Sequence, residues 1–396
     1  MILLNRNFAL LWAGQLVSQL GDKLYNIALL WWVLEKTGSP FFTSSFLLLA
    51  TLPELLLGPL AGVFVDRWNR QIILIACDWL RAGIVAVLAV LLQAGDLQIW
   101  HVFVAAFCIS ACSALANPAI QALIPAVVAP QRLQDANARS QMIAGATRII
   151  GPLAGAASVA TIGNLPALYL NAVSYLLCGM AECLLRLSAD QRPAGSAWWR
   201  SLREGLRHVA GNRQVTEVLR IVALVHVFFG TLIAVLPFVA RRLGGHGIGN
   251  LGVLEASLGF GIVAGSLWLA RRDGRASFAW PMLGMAGWTA LLAMLQFWPS
   301  VSLLACALCC AGIGLGVAQL SILWQTTIQR EVPDTMRGRV FSVLSSIGNV
   351  SVPLAIGAAG LLLRLAPVQL LLALCAAGLA VGGVRCRPSG AVIEAE

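Results

Sequence analysis

Gly58-Pro59-Leu60-Ala61-Gly62-Val63-Phe64-Val65-Asp66-Arg67-Trp68-Asn69-Arg70 ends a long apolar run in a charged turn. Gly58 and Gly62 lie four apart and leave a flat helix face on which a second helix can pack closely. Asp66 follows at the helix end, and Arg67 and Arg70 lie three apart just after it. The stretch predicts two apolar helices joined by a short, charged hairpin turn.

The composition around it calls for the same solvent. Of 396 residues, 59% are hydrophobic and 11% charged, and the mean hydropathy is +0.83. A soluble domain carries about 25% charged residues, so these charges are too sparse to coat soluble domains. A membrane-spanning helix needs about 20 apolar residues. Twelve runs meet that need: 8–34, 41–65, 72–92, 99–123, 140–160, 166–187, 217–240, 250–270, 278–298, 300–326, 340–363 and 367–384. The first is no cleaved signal peptide, because it is long, is interrupted by Asp22-Lys23 and lacks a basic leader.

The net charge of +10 has a topological explanation rather than a nucleic-acid partner, since the basic residues sit between the runs. With the N-terminus cytoplasmic, inside segments hold 20 basic residues and outside segments 4. That places both termini inside. Arg241-Arg242 is a local exception. The widest charged gap, 188–216, holds Trp198, Trp199, Arg200, Arg203 and Arg207, with Leu202, Leu206 and Val209 at helical spacing. It reads as an amphipathic helix on anionic membrane lipid. A solvated linker is the alternative. It separates an N-terminal six-helix bundle, 1–187, from a C-terminal one, 217–396, with a short tail.

The opening stretch resembles, nearly residue for residue, the loop between helices two and three of the major facilitator superfamily. That resemblance implies an all-α integral membrane protein: twelve transmembrane helices in two pseudo-symmetric six-helix bundles. It implies alternating access, with Asp66, Arg67 and Arg70 latching the cytoplasmic side, and a substrate site between the halves. Asp78 and Arg81, three apart in the third span, extend that charge network. Topology anchoring alone is the competing explanation of these charges. The fifth span carries Arg148-Ile149-Ile150-Gly151-Pro152-Leu153-Ala154-Gly155. It is similar to the Gly-Pro motif of antiporters in the superfamily, which implies export. An ordinary Gly/Pro-rich helix would look the same.

Charges inside spans are the functional candidates, because one at a helix centre costs about 2.5–3.5 kcal/mol. Gln15, Ser18, Gln19, Asp22 and Asn26 fall at i, i+3, i+4, i+7 and i+11, one face of the first span. Such a stripe is expected to line a water-filled cavity, since polar atoms facing lipid would go unsatisfied. Asp22 is the first candidate for loading and releasing a proton; a structural hydrogen bond is the alternative. Glu54, mid-span after Pro53, is the second. Arg148 needs a carboxylate or carbonyl partner, with Asp22 and Glu54 available. His226 is a candidate for the substrate cavity, with a hydrogen-bonded structural residue as the alternative. Phe229, Gln319, Trp324 and Gln325 are candidates for the C-terminal cavity wall, or lipid-facing packing.

Other chemistries lack their residues. Cys306, Cys309 and Cys310 include a CxxC spacing, but no second cluster or nearby His completes a zinc site. No GxxxxGK loop, Gly-x-Ser-x-Gly elbow or HExxH helix occurs, which excludes the common ATP-driven and hydrolytic signatures. The expectation is a transporter with no cofactor and no enzymatic step, powered by the proton gradient.

Arg6-Asn7-Phe8-Ala9-Leu10-Leu11-Trp12-Ala13-Gly14-Gln15, with Gly21-Asp22, Trp31-Trp32 and Thr37-Gly38-Ser39, resembles the branch of enterobactin-type siderophore exporters and macrolide-efflux proteins. That resemblance implies a monomeric exporter of the bacterial inner membrane. Its cargo is expected to be a siderophore or similar small secondary metabolite, with macrolide or multidrug efflux, or lysophospholipid transport, as alternatives. One departure is that no Arg lies between His101 and Leu123, where many drug antiporters carry one in the fourth span.

Overall fold

The structure is a computed structural model describing residues 5–129, 132–185, 211–244, 247–270, 277–298, 300–332 and 334–386. Among them every regular element is a helix. The chain divides into two compact units, Met1–Gly195 and Ser196–Glu396. The first holds α1 (Arg6–Thr37), α2 (Pro40–Leu49), α3 (Leu52–Arg67), α4 (Arg70–Ala94), α5 (Ile99–Val127), α6 (Leu133–Ile162) and α7 (Asn164–Cys183). The second holds α8 (Arg213–Arg242), α9 (Gly247–Ala270), α10 (Ala279–Leu295), α11 (Leu303–Glu331), α12 (Asp334–Leu365) and α13 (Val368–Arg385).

Each of the twelve apolar runs overlaps a helix, the second being shared by α2 and α3. Pro53 explains that division, because its ring clashes with the preceding turn and it has no N–H to donate. Thr51 Oγ1 donates to the carbonyls of Leu47 and Leu48 at 3.0 and 3.1 Å, satisfying acceptors left at the break. Among the described residues, eight stretches are long and apolar enough to cross a membrane, with Ile149–Ile162 and Ala279–Leu295 as shorter apolar helices. Polar side chains dilute α1, which carries the Gln15–Asn26 stripe. Trp68, Trp100, Trp280 and Trp298 are exposed, as suits a hydrocarbon solvent rather than water. Of the expected 188–216 linker, residues 188–210 lie outside the described residues. Asn212 caps α8, its side chain accepting from the N–H groups of Gln214 and Val215.

Helix pairing repeats within the two units. In the first, α3 packs on α5, α4 on α7 and α1 on α6. In the second, α9 packs on α11, α10 on α13 and α8 on α12. Counted by span, both are second on fourth, third on sixth and first on fifth. Small residues make these approaches close. A Cβ on Gly265 would lie 2.5 Å from the Leu315 carbonyl oxygen, so α9 and α11 meet backbone to backbone. Buried Cys306, Cys309 and Cys310 belong to α11.

Candidate functional site

A buried polar cluster forms where α1, α4 and α7 converge. Gly14, Ser18 and Gly21 are buried along one face of α1. A Cβ on Gly21 would run into Ser174 and Asn171 of α7, and one on Gly14 would meet Cys178 Sγ at 3.1 Å. On the other flank, a Cβ on Gly179 of α7 would lie 2.5 Å from the Trp79 ring of α4. The three helices approach at glycine width, and their polar side chains meet.

Asp22 Oδ1 accepts a hydrogen bond from the Tyr175 hydroxyl. The Arg81 guanidinium stands over the Tyr175 ring, 5.6 Å from its centroid, a cation–π contact. Arg81 Nη1 donates to Asp78 Oδ1 at 3.2 Å, and Nη2 donates to Ser113 Oγ at 3.2 Å. The Cys178 thiol donates to Glu182 Oε1 at 3.8 Å. Ligand atoms of Asp78, Cys178 and Glu182 lie within 4.8 Å of one another. Asp78, Arg81 and Glu182 are 3%, 6% and 0% exposed, so the network is dry and each charge depends on its partners.

The sequence candidates divide by location. Ser18 is buried and Gln15 Nε2 donates to Cys178 Sγ at 3.9 Å, so part of the α1 stripe faces α7 instead of open water. Gln19 and Asp22 are half-buried, and Asn26 Nδ2 donates back to the Asp22 carbonyl at 2.8 Å. Arg81 is linked to Asp22 through Tyr175, its guanidinium lying over the ring whose hydroxyl donates to Asp22. Glu54 is exposed in the first turn of α3, where a carboxylate is favoured by the helix dipole, and accepts from Asn117 Nδ2 at 2.8 Å. Arg148 lies on α6, but its side chain is outside what is described, as are those at Gly58, Gly62, Asp66 and Arg67. Asp66 and Arg67 are the last residues of α3, and Arg70 opens α4 after the Asn69 cap.

Gly151 and Gly155 of α6 press on α1 beside Asp22. A Cβ on Gly151 would lie 2.6 Å from Lys23 Cγ, and one on Gly155 would lie 3.1 Å from the Lys23 carbonyl oxygen. Pro152 lies inside the helix. In the second unit, His226 Nδ1 donates to the Val222 carbonyl at 2.7 Å and its ring packs against Gly348. Phe229 and Trp324 are half-buried, Gln319 is buried and Gln325 exposed.

Tyr175, Cys178 and Glu182 had no place among the sequence candidates. A signal for them exists. Asn171, Ser174, Tyr175, Cys178 and Glu182 repeat on α7 the i, i+3, i+4, i+7, i+11 spacing of the α1 stripe, and all five are buried. Gly21→Val is expected to force α1 from α7 and separate Asp22 from Tyr175. The cost is about 1–3 kcal/mol, seen as a lower unfolding midpoint in detergent. An unchanged midpoint would rule out this contact as the one that sets the site.

A family model described as transmembrane secretion effector matches residues 2–388. Macrolide efflux protein A of Streptococcus pyogenes is 25% identical over 356 residues, 88% of this chain and 87% of that protein. Multidrug efflux pump Tap of Mycolicibacterium fortuitum is 27% identical over 373 residues, 89% of this chain and 87% of that protein. Among solved structures, a bacterial homologue of the iron transporter ferroportin in its inward-facing state matches with a TM-score of 0.71 and 17% identity, covering 96% of this chain and 97% of that one. It shares the fold.

Proposed function

The chain belongs to the transmembrane secretion effector family of major facilitator efflux transporters, and from that premise we propose that it is a secondary active exporter driven by proton antiport. The observation that carries this reading is the buried Asp22–Tyr175–Arg81–Asp78 network. A carboxylate paired inside an apolar bundle exchanges a proton only when its partners move, which is what coupling requires. Asp22 is the coupling carboxylate, and cargo competes with a proton for it.

The exporter works as a monomer in the bacterial inner membrane, with both termini in the cytoplasm and no enzymatic step. Asp66, Arg67 and Arg70 form the cytoplasmic latch. Gly151-Pro152 and Gly155 seal the leak path by holding α6 tightly on α1 at Lys23. Gln19, Asp22 and Asn26, the half-buried later part of the α1 stripe, are the cargo-contact residues of the first unit, and Phe229, Gln319, Trp324 and Gln325 are those of the second. Asp66→Asn is expected to slow turnover several-fold with little change in binding, because a latch acts on the conformational step and not on the ligand. Equal losses in both would count against the latch.

The cargo we propose is a siderophore or similar small secondary metabolite. A second reading, macrolide or multidrug efflux, is supported by the names of the two relatives. Mass spectrometry of cells and medium from iron-limited cultures separates them. An iron chelator depleted outside and accumulated inside the deletion strain, and restored by complementation, supports the first. Unchanged chelators together with macrolide hypersensitivity support the second.

A further inference from the structure

Glu182 is a carboxylate in a hostile place. It has no exposed surface and lies one residue from the C-terminal end of α7, where the helix dipole opposes an anion. The facing carboxylate of Asp78 opposes it again. Glu182 Oε1 accepts from Cys178, but Glu182 Oε2 and Asp78 Oδ2 have no hydrogen-bond partner although both are buried. A buried acceptor left unmatched costs about 1–3 kcal/mol, and more when charged.

The neighbours on each packed helix define the charge balance. From α4 come Asp78, Arg81 and Gln71, the last donating to the Glu182 and Leu185 carbonyls at 2.8 and 3.1 Å. From α1 comes Asp22, whose neighbour Lys23 packs instead under Gly151 of α6. Among the described side chains the Asp78–Glu182 pair sets two carboxylates against the Arg81 guanidinium, and a single proton cancels the excess negative charge. A proton on either orphan oxygen also supplies the missing donor. Arg81, already 3.2 Å from Asp78, is a fixed cation in the cluster and leaves little reason for a metal ion there.

We propose that the Asp78–Glu182 pair stores the proton exchanged during export, with Glu182 as its cytoplasmic port. This rests on the antiport reading, and deepens it by separating two duties. Asp22 senses cargo, and the Asp78–Glu182 pair holds the proton. In the release step the proton leaves the pair for cytoplasmic water and the pair gains one negative charge; Asp22 takes up a proton from the outer side as cargo leaves it and passes that proton to the pair, which restores both groups. Gln71 and α7 hold the port in place.

Infrared difference spectra of the full-length protein in liposomes, stepped from neutral to alkaline pH, read carboxylic-acid carbonyl bands and need no cargo. Wild type is expected to lose one such band on the step. Glu182→Gln removes that band, Asp22→Asn retains it, and Glu182→Asp restores it at a shifted frequency. Gln mimics the protonated acid, so the variant is expected to fold; Asp78→Asn is the second variant and also removes the band. Persistence of the band in both Glu182→Gln and Asp78→Asn, or its absence from wild type, overturns the proposal. The antiport reading fails separately, if inside-out vesicles move a radiolabelled macrolide without any dependence on a pH gradient while the band is present.

Discussion

Asp22→Asn is expected to abolish gradient-driven export while leaving the fold in place. Asn keeps the oxygen that accepts from the Tyr175 hydroxyl and nearly the same volume, so the α1–α7 contact survives. It removes the group that exchanges a proton and the negative charge at the Tyr175 hydroxyl, beside the ring over which Arg81 stands. Losing a proton-transfer group costs about 10²–10⁴-fold in rate. Transport by inside-out vesicles under an imposed pH gradient is therefore expected to fall by at least about 10²-fold. Exchange of labelled for unlabelled cargo without a gradient needs no net proton movement, and is expected to continue. The unfolding midpoint in detergent is expected to stay close to that of wild type. Wild-type uptake under the gradient would remove Asp22 from the coupling step, and loss of exchange as well would make it a cargo contact alone.

The helices were legible because the bilayer imposes a single length and one apolar composition. The turn after Gly58 was legible because charge interrupts that composition. The break at Ala50–Thr51 carried its own signal in Pro53 just after it, yet it lies inside an unbroken apolar run, and hydropathy alone reads straight through it. The site was legible on one side only. Asp22 and its stripe stand out because charge is rare inside a span. Their partners on α7 are Tyr175, Cys178 and Asn171, which do not disturb hydropathy, and Glu182, a charge near the end of the 166–187 run, where it stands out less than one mid-span. Asp78 and Arg81 were recognisable as an i, i+3 pair, but spacing gives the pairing and not the direction it faces. The structure turns that pair toward Asp22 because Gly21 and Gly179 let α7 approach both neighbours. Close approach of this kind depends on which glycine meets which helix, a relation between distant segments that no single window of sequence contains.

Arg81 is the residue whose loss is expected to cost the most stability. It is the guanidinium that pairs with Asp78 and stands over the ring of Tyr175, whose hydroxyl donates to Asp22. In Arg81→Met the side-chain volume is largely kept, but buried carboxylates lose their countercharge. Removing one partner of a buried ion pair costs about 3–5 kcal/mol, because the remaining charge stays desolvated. A lower unfolding midpoint in detergent and a smaller monodisperse fraction on size exclusion would register that loss. Arg81→Lys keeps the charge but lacks the planar fork that reaches both Asp78 and Ser113, so an intermediate loss is expected. The double variant Arg81→Met with Asp78→Leu provides the control. If the cost is the stranded charge, removing the carboxylate as well recovers much of the stability lost in Arg81→Met, though not transport. If the cost is lost packing around Tyr175, the second substitution adds to the first. A midpoint for Arg81→Met equal to that of wild type would mean that the carboxylates do not depend on this guanidinium, and that the network does not bind α1, α4 and α7 together.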